Sequence, residues 1–210
     1  MGRVHIGNVY PSDDYLLARC APTGYGWGEG SPAAHFNASN VNRTAVFVSV
    51  GGDMPTNDSV WLCEFYATSG DGSGNYGHMV ATCQGGVAKG CCCIRLKENG
   101  VYSEWEWVNP PMLLGVEYRT TERWNGKPVY TSLVNVGAYQ ESGMRNANTG
   151  IIATGIIRFH ASIGYTSLPL SGNMEINTFH NGEEILVQLN TKGERIYSND
   201  VYVTLYYIKN

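Results

Sequence analysis

The sequence predicts an all-β protein built of two small antiparallel domains, sandwich-like or barrel-like. Three observations carry this reading. Apolar residues recur at every second position in run after run, and clear 3.6-residue periods are scarce. Asn-Gly pairs stand between strand-like runs, and both central residues of a type I′ hairpin turn need positive φ. Turn residues return at roughly 8–12-residue intervals, the spacing of short strands in sandwiches and barrels.

Taken in order, residues 44–50 (Thr-Ala-Val-Phe-Val-Ser-Val) are rich in β-branched side chains and close on Gly51-Gly52-Asp53, a strand and its turn. Residues 60–67 alternate in the same way and run into a glycine-rich loop at 69–75. Residues 90–97 meet Glu98-Asn99-Gly100 and continue as 101–108, which predicts a hairpin. In its second arm, alternation puts Tyr102, Glu104 and Glu106 on one face and Ser103, Trp105 and Trp107 on the other. Asn109-Pro110-Pro111 stops the ladder, because neither proline can donate a backbone hydrogen bond. The first domain is therefore expected over 1–111 and the second over 112–210.

Residues 112–115 read as a connector. A second hairpin follows, 116–124 turning at Asn125-Gly126 into 127–136. Further strands are expected at 151–161, 174–179, 184–190 and 201–208, with turns at 171–173, Asn181-Gly182 and 191–193. The last strand alternates Val201, Val203, Leu205 and Tyr207 against Tyr202, Thr204, Tyr206 and Ile208, so both faces are apolar enough to be covered. No fixed-period repeat is present.

Composition removes several classes of function. Charged residues are 15% of the 210 positions, against a usual ~25%. Lys+Arg 14 against Asp+Glu 18 leaves a net charge of -4, with no bulk positive field for phosphates or anionic lipid. Nucleic acid is thus not an expected partner. Apolar runs are only a few residues long, far short of the ~20 a spanning helix requires, so no membrane insertion is expected. Residues 1–5 lack the apolar centre of a secretory signal.

The cysteines stand at 20, 63, 83, 91, 92 and 93. No C-x2-C pair or neighbouring histidine offers a zinc spacing, so no metal and no cofactor is expected. In an extended segment Cys91 and Cys93 share a face that Cys92 opposes, which fits reduced thiols packed as small hydrophobes. His5, His35, His78, His160 and His180 are scattered, outside any nucleophile or metal motif. Glu104 and Glu106 on one strand face are equally what a solvated sheet looks like, and Gly70–Gly74 precedes no helix that would make a phosphate cradle. No catalytic residue is assigned, and the chain is expected not to be an enzyme.

Two stretches carry a family resemblance. Cys93-Ile-Arg-Leu followed by residues 100–111 (Gly-Val-Tyr-Ser-Glu-Trp-Glu-Trp-Val-Asn-Pro-Pro) resembles the end of the pyocin-knob-like domain of phage tail fibres and tail-like bacteriocins, a pattern of the form I-x-R-x(4)-G-x-W-S-x-W. Ile94, Gly100, Trp105 and Trp107 fit it, and Tyr102 stands where that family often has tryptophan. Gly24-Tyr25-Gly26-Trp27 is similar to a small loop near that domain's start. Residues 116–130, ending Trp-Asn-Gly-Lys-Pro-Val-Tyr, with 133–137, are similar to a β-module at the C-termini of phage and prophage tail proteins. Together these matches touch about a third of the chain, and residues 138–210 match only in strand rhythm.

The resemblance implies a virion appendage protein folded in the cytoplasm of a bacterial host: a tail fibre, tail spike tip or related host-recognition piece, usually a homotrimer. The expected partners are further copies of the chain, other virion proteins and a bacterial surface receptor such as a glycan. A head fibre, capsid decoration or baseplate component is the architectural alternative, and a glycan-cleaving tail spike hydrolase the enzymatic one. Tyr25 and Trp27, ringed by glycines that offer little cover, are the first candidates for sugar stacking, together with the polar loop residues Asn37, Asn40, Asn42 and Asp58. Trp105, Trp107 and Trp124 read instead as packing anchors, within the core or between subunits, given the area each can bury. In a phage or bacterial setting the N-x-S/T triplets at 37, 42 and 57 are chance polar loops. Low charge and 14 tyrosines fit a surface that is partly interface, with residues near 112–136 expected at a three-fold axis.

Overall fold

In the computed structural model, residues 38–42, 44–57, 59–68, 72–139, 143–163, 166–168, 174–182, 184–191 and 197–210 are described. They are all-β, with short 3-10 turns at Ala38–Asn40 and Gly86–Ala88 and no α-helix among them. No helix among the described residues is long and apolar enough to cross a membrane. The chain divides into two compact units, Met1–Asn109 and Pro110–Asn210.

The described strands of the first unit are β1 (Ala45–Val50), β2 (Val60–Ala67), β3 (Gly77–Cys83), β4 (Cys92–Glu98), β5 (Val101–Tyr102) and β6 (Glu106–Trp107). They pair antiparallel in the order β1-β2-β3-β4-β6, with β5 also on β4. One face is buried: Phe47, Trp61, Cys63, Phe65, Met79, Ala81 and Cys93, with Arg95 and Lys97 in the same row of β4. The opposite face is aliphatic and half-buried, with Val46, Val48, Leu62, Val80 and Ile94 on it. Antiparallel sheets with one solvated side usually alternate apolar with polar more cleanly.

Two expectations need correction here. β3 is a strand that the sequence reading passes over, because its inward residues Met79, Ala81 and Cys83 are unbranched or small and carry little β-propensity signal. The run 101–108 is not one strand. Ser103–Trp105 leave the ladder between β5 and β6, and the two-faced alternation breaks with them. The Asn99-Gly100 turn is as expected, with φ of 51° and 82°, and the Gly100 amide donates to Asn75 O at 2.9 Å.

The second unit contains β7 (Glu117–Trp124), β8 (Lys127–Tyr139), β9 (Gly143–Ile152), β10 (Gly155–Ile163), β11 (Thr166–Leu168), β12 (Met174–His180), β13 (Glu184–Thr191) and β14 (Tyr197–Ile208). Two sheets, β7-β8-β14-β10-β11 and β12-β13-β9, share one core. Val134, Ala161, Val201, Val203, Leu205 and Tyr207 from the first meet Ala147, Ile185, Val187 and Leu189 from the second. This is an open two-layer sandwich; the barrel alternative does not hold, since neither sheet closes on itself. The Asn125-Gly126 hairpin forms, with φ of 49° and 79°.

The expected strand at 151–161 straddles a turn, because β9 ends at Ile152 and β10 begins at Gly155. Most of β9, Gly-Met-Arg-Asn-Ala-Asn-Thr-Gly-Ile-Ile, is polar and glycine-containing, residue types depleted from strands. β14 pairs with both β8 and β10. Its inward residues Val201, Val203, Leu205 and Tyr207 are fully buried, whereas Tyr202, Thr204, Tyr206 and Ile208 are only half-buried. Part of that second cover is Arg158, whose guanidinium carbon lies 3.9 Å from the Tyr206 ring centroid and whose Nη2 donates to both carboxylate oxygens of Glu122 at 2.8 Å.

Candidate functional site

The segment that carries the knob-like resemblance is brought together around Arg95. β4 places Cys93, Arg95 and Lys97 on the buried face by simple alternation. The excursion at Ser103–Trp105 then lets Tyr102 and Trp105 approach the same guanidinium. The Arg95 guanidinium carbon lies 4.0 Å from the Tyr102 ring centroid and 4.3 Å from that of Trp105. A cation over an aromatic face is attracted by the ring quadrupole, more strongly when both are desolvated. A guanidinium N–H donates to Met79 Sδ at 3.8 Å.

Each neighbouring residue type has a local reason. Ser103 locks the excursion by donating its amide to Leu96 O at 2.8 Å and accepting the Leu96 amide on Oγ at 3.0 Å. Trp105 Nε1 donates to Asp53 O at 2.8 Å, and Asp53 Oδ2 accepts the Ser39 amide at 2.9 Å. Trp107 is buried and meets Trp61 edge to face, centroids 5.9 Å apart. Lys97 Nζ and the Tyr102 hydroxyl both donate to Val41 O at 3.0 Å. Burial holds Arg95 below the usual guanidinium value, with Tyr102 and Asp53 acting in the opposite direction. Burial first, then Arg95, lowers Lys97. This arrangement closes one end of a sheet and spends its aromatic and cationic groups on that closure.

Of the receptor candidates, Tyr25, Trp27, Asn37 and Asp58 lie outside the described residues, as does the side chain of Asn40. Asn42 is exposed, beside the Val41 carbonyl that Lys97 and Tyr102 hold. Trp105 and Trp107 pack within the unit, half-buried and buried respectively. Trp124, at the tip of the β7–β8 hairpin, is 49% exposed and does not anchor the core of its own chain. Arg95 and Lys97 are what sequence reasoning missed as interior residues. Their register with Cys93 was the available signal, overridden by the expectation that charges face water.

Among the described residues, Cys63, Cys83, Cys91, Cys93, His78 and His180 are engaged by packing or by local hydrogen bonds. Cys63, Cys83, Cys91 and Cys93 are buried, Cys92 is half-buried, and none of these is in a disulfide. Burial pushes the Cys63 thiol up to about 12, and burial likewise raises Cys93. Among the described residues no group of three His, Cys, Asp or Glu side chains is placed to hold a metal ion. His78 stacks on Tyr66, and His180 accepts the Gly182 amide on Nδ1, which leaves Nε2–H to donate to Ala153 O. Glu106 lies opposite Ile94 in the ladder, whereas Glu104 sits in the excursion.

The thiols give a pH prediction. A folded-state pKa raised above the ordinary 9.0 means that the unfolded chain releases its proton first, so stability is intact below pH 9 and falls as pH rises from there toward 12. For Cys63 the slope should approach about 1.4 kcal/mol per pH unit. Urea titrations at pH 8, 9.5 and 10.5 should show this decline, and Cys63→Ala should make it shallower, leaving the part that Cys93 contributes. An equally steep decline in that variant would assign the effect elsewhere.

Comparison with known proteins gives structural neighbours only. No family model matches, and no curated protein matches. Two solved fibres are similar to this chain. The R1 pyocin fibre of P. aeruginosa, C-terminal residues 323–701, is 10% identical over 87% of this chain and 68% of that one, with a TM-score of 0.30. An N-truncated R2-type pyocin tail fibre is 8% identical over 82% of this chain and 94% of that one, with a TM-score of 0.27.

Proposed function

We propose that this chain is a non-enzymatic structural protein of a phage virion, a tail fibre or tail tip component that recognises a bacterial surface receptor, most naturally a glycan, as a homotrimer. The observation that carries the reading is the closure around Arg95. Within residues 93–111, the stretch that carries the knob-like resemblance, Gly100 makes the turn, Ser103 locks the excursion, and Tyr102 and Trp105 cover the guanidinium. The resemblance implies a segment that closes a small β-domain, and the geometry supports that role.

Assembly has its own support. Leu113, Leu114, Val116 and Trp124 are all at least 38% exposed, within the stretch expected at a three-fold axis. Leu113, Leu114 and Val116 lie at one end of the β7–β8 hairpin and Trp124 at its other end, and a run of exposed apolar side chains such as 113–116 is a feature of interaction surfaces. Weak single-site sugar binding repeated across a trimer gives firm attachment without a deep pocket.

Pre-incubating host cells with the purified protein should block adsorption of virions that carry it, and should release no reducing ends from capsule or cell-wall polysaccharide. Released saccharide would establish the hydrolase alternative. Unchanged adsorption, with immunogold label on the head or baseplate, would establish the architectural one.

A further inference from the structure

We propose that the outward face of the β12-β13-β9 sheet is a saccharide-binding surface for a neutral polysaccharide, with Asn146, Asn148, Asn177, Gln188 and Phe179 as its contacts. This rests on the adhesive reading above and gives it a site. Because Ile185, Val187 and Leu189 of β13 are fully buried, the intervening Leu186 and Gln188 point away from the core. The register fixes their companions. One row across the three strands is Phe179, Leu186, Asn148, and the next is Asn177, Gln188, Asn146.

Neighbouring strands lie about 4.8 Å apart and same-face positions along a strand about 7 Å apart. Three carboxamides, Asn177, Gln188 and Asn146, therefore stand side by side in one row, with Asn148 in the next. Each primary amide presents two N–H donors and an oxygen with two lone pairs, which matches the paired donor and acceptor character of adjacent sugar hydroxyls. Gln188 Nε2 donates to Asn146 Oδ1 at 3.1 Å, orienting both groups within that row. Phe179 is 37% exposed beside them, an apolar plate for the C–H face of a pyranose ring.

The residue types on this face argue for a ligand over simple solvation. Asparagine is unfavourable in strands, yet Asn146, Asn148 and Asn177 occupy outward strand positions, all exposed. These two rows hold no ionisable side chain, and the charged residue that alternation places on the same face of β13 is a carboxylate, Glu184, beyond the Leu186 row. Amide donors and acceptors with no cation in either row, and Glu184 alongside, select a neutral polyol, since an acidic polysaccharide would call for arginine or lysine.

The test places wild type, Gln188→Ala, Gln188→Glu, Phe179→Ala and the Asn146→Ala/Asn177→Ala double variant on an array of neutral and acidic bacterial polysaccharides, with Thr204→Ala on the other sheet as control. Binding to neutral members is expected, weakened tenfold or more in every face variant and unchanged in the control, with melting temperatures preserved. Preference for acidic members, or full binding by the face variants, overturns the site. If the face variants bind fully and still block virion adsorption, adhesion stands and the site lies elsewhere. If wild type binds no array member and no host cell, both readings fall.

Discussion

Replacing Trp61 by alanine is expected to destabilise the first unit by about 3–5 kcal/mol, the range for truncating a large buried aromatic. Trp61 is fully buried near the start of β2, between β1 and β3, and its ring meets Trp107 of β6 edge to face. The truncation thus opens a cavity and also loosens the strand that follows the Arg95 excursion. Trp61→Phe should cost far less. The indole Nε1 has no hydrogen-bond partner among the described residues, so phenylalanine removes a buried donor that had gained nothing on folding. Chemical denaturation of the three proteins checks the order. A phenylalanine variant as unstable as the alanine one would show that the indole bond, not the packing, matters.

Arg95→Glu is expected to be comparably damaging, costing roughly 3–5 kcal/mol as an uncompensated charge placed in the interior. The new carboxylate would sit against the π faces of Tyr102 and Trp105, which repel an anion as they attract a cation. It would also face Asp53, whose present electrostatic effect favours the charged arginine. Arg95→Met should retain the fold, since a flexible apolar chain of similar length fills the same space without needing hydration. This pair separates closure from recognition. A residue that binds a receptor would lose adhesion on conversion to methionine with stability intact; a residue that closes the sheet keeps adhesion as long as the unit stays folded. Circular dichroism melts and cell-binding assays on both variants give the answer.

Much of this architecture is legible in the sequence, and the exceptions have physical causes. The hairpins at Asn99-Gly100 and Asn125-Gly126 are determined locally, because few residue pairs accept two consecutive positive φ values. β14 declares itself by strict alternation of large side chains. β3 does not, since a strand of Met, Ala and Cys borrows its stability from its neighbours, Trp61 and Phe65 of β2 on one side and Cys93, Arg95 and Lys97 of β4 on the other. β9 is hidden for the opposite reason: its central outward positions, Asn146 and Asn148, are amides, which local propensity places in turns, and its pairing with β13 makes it a strand.

The same logic governs the candidate sites. Tyr102 and Trp105 read as belonging to opposite faces because alternation was assumed to run unbroken through Ser103 and Glu104. The tertiary demand of covering a buried guanidinium won over the local pattern. The amide cluster was invisible because its members come from three segments spread over residues 146–188, and only strand register brings them into two rows. Trp124 illustrates the remaining gap. Its size suggested an anchor, and within one chain it has no core to enter.

That exposed tryptophan, with Leu113, Leu114 and Val116, leads to the most direct test of the proposal that these chains act as a passive, multivalent adhesive. Sedimentation equilibrium over a hundredfold range of concentration should give a single species of three times the 23.0 kDa chain mass, converted to smaller species by Trp124→Glu. A species of one chain mass across the whole range would contradict it.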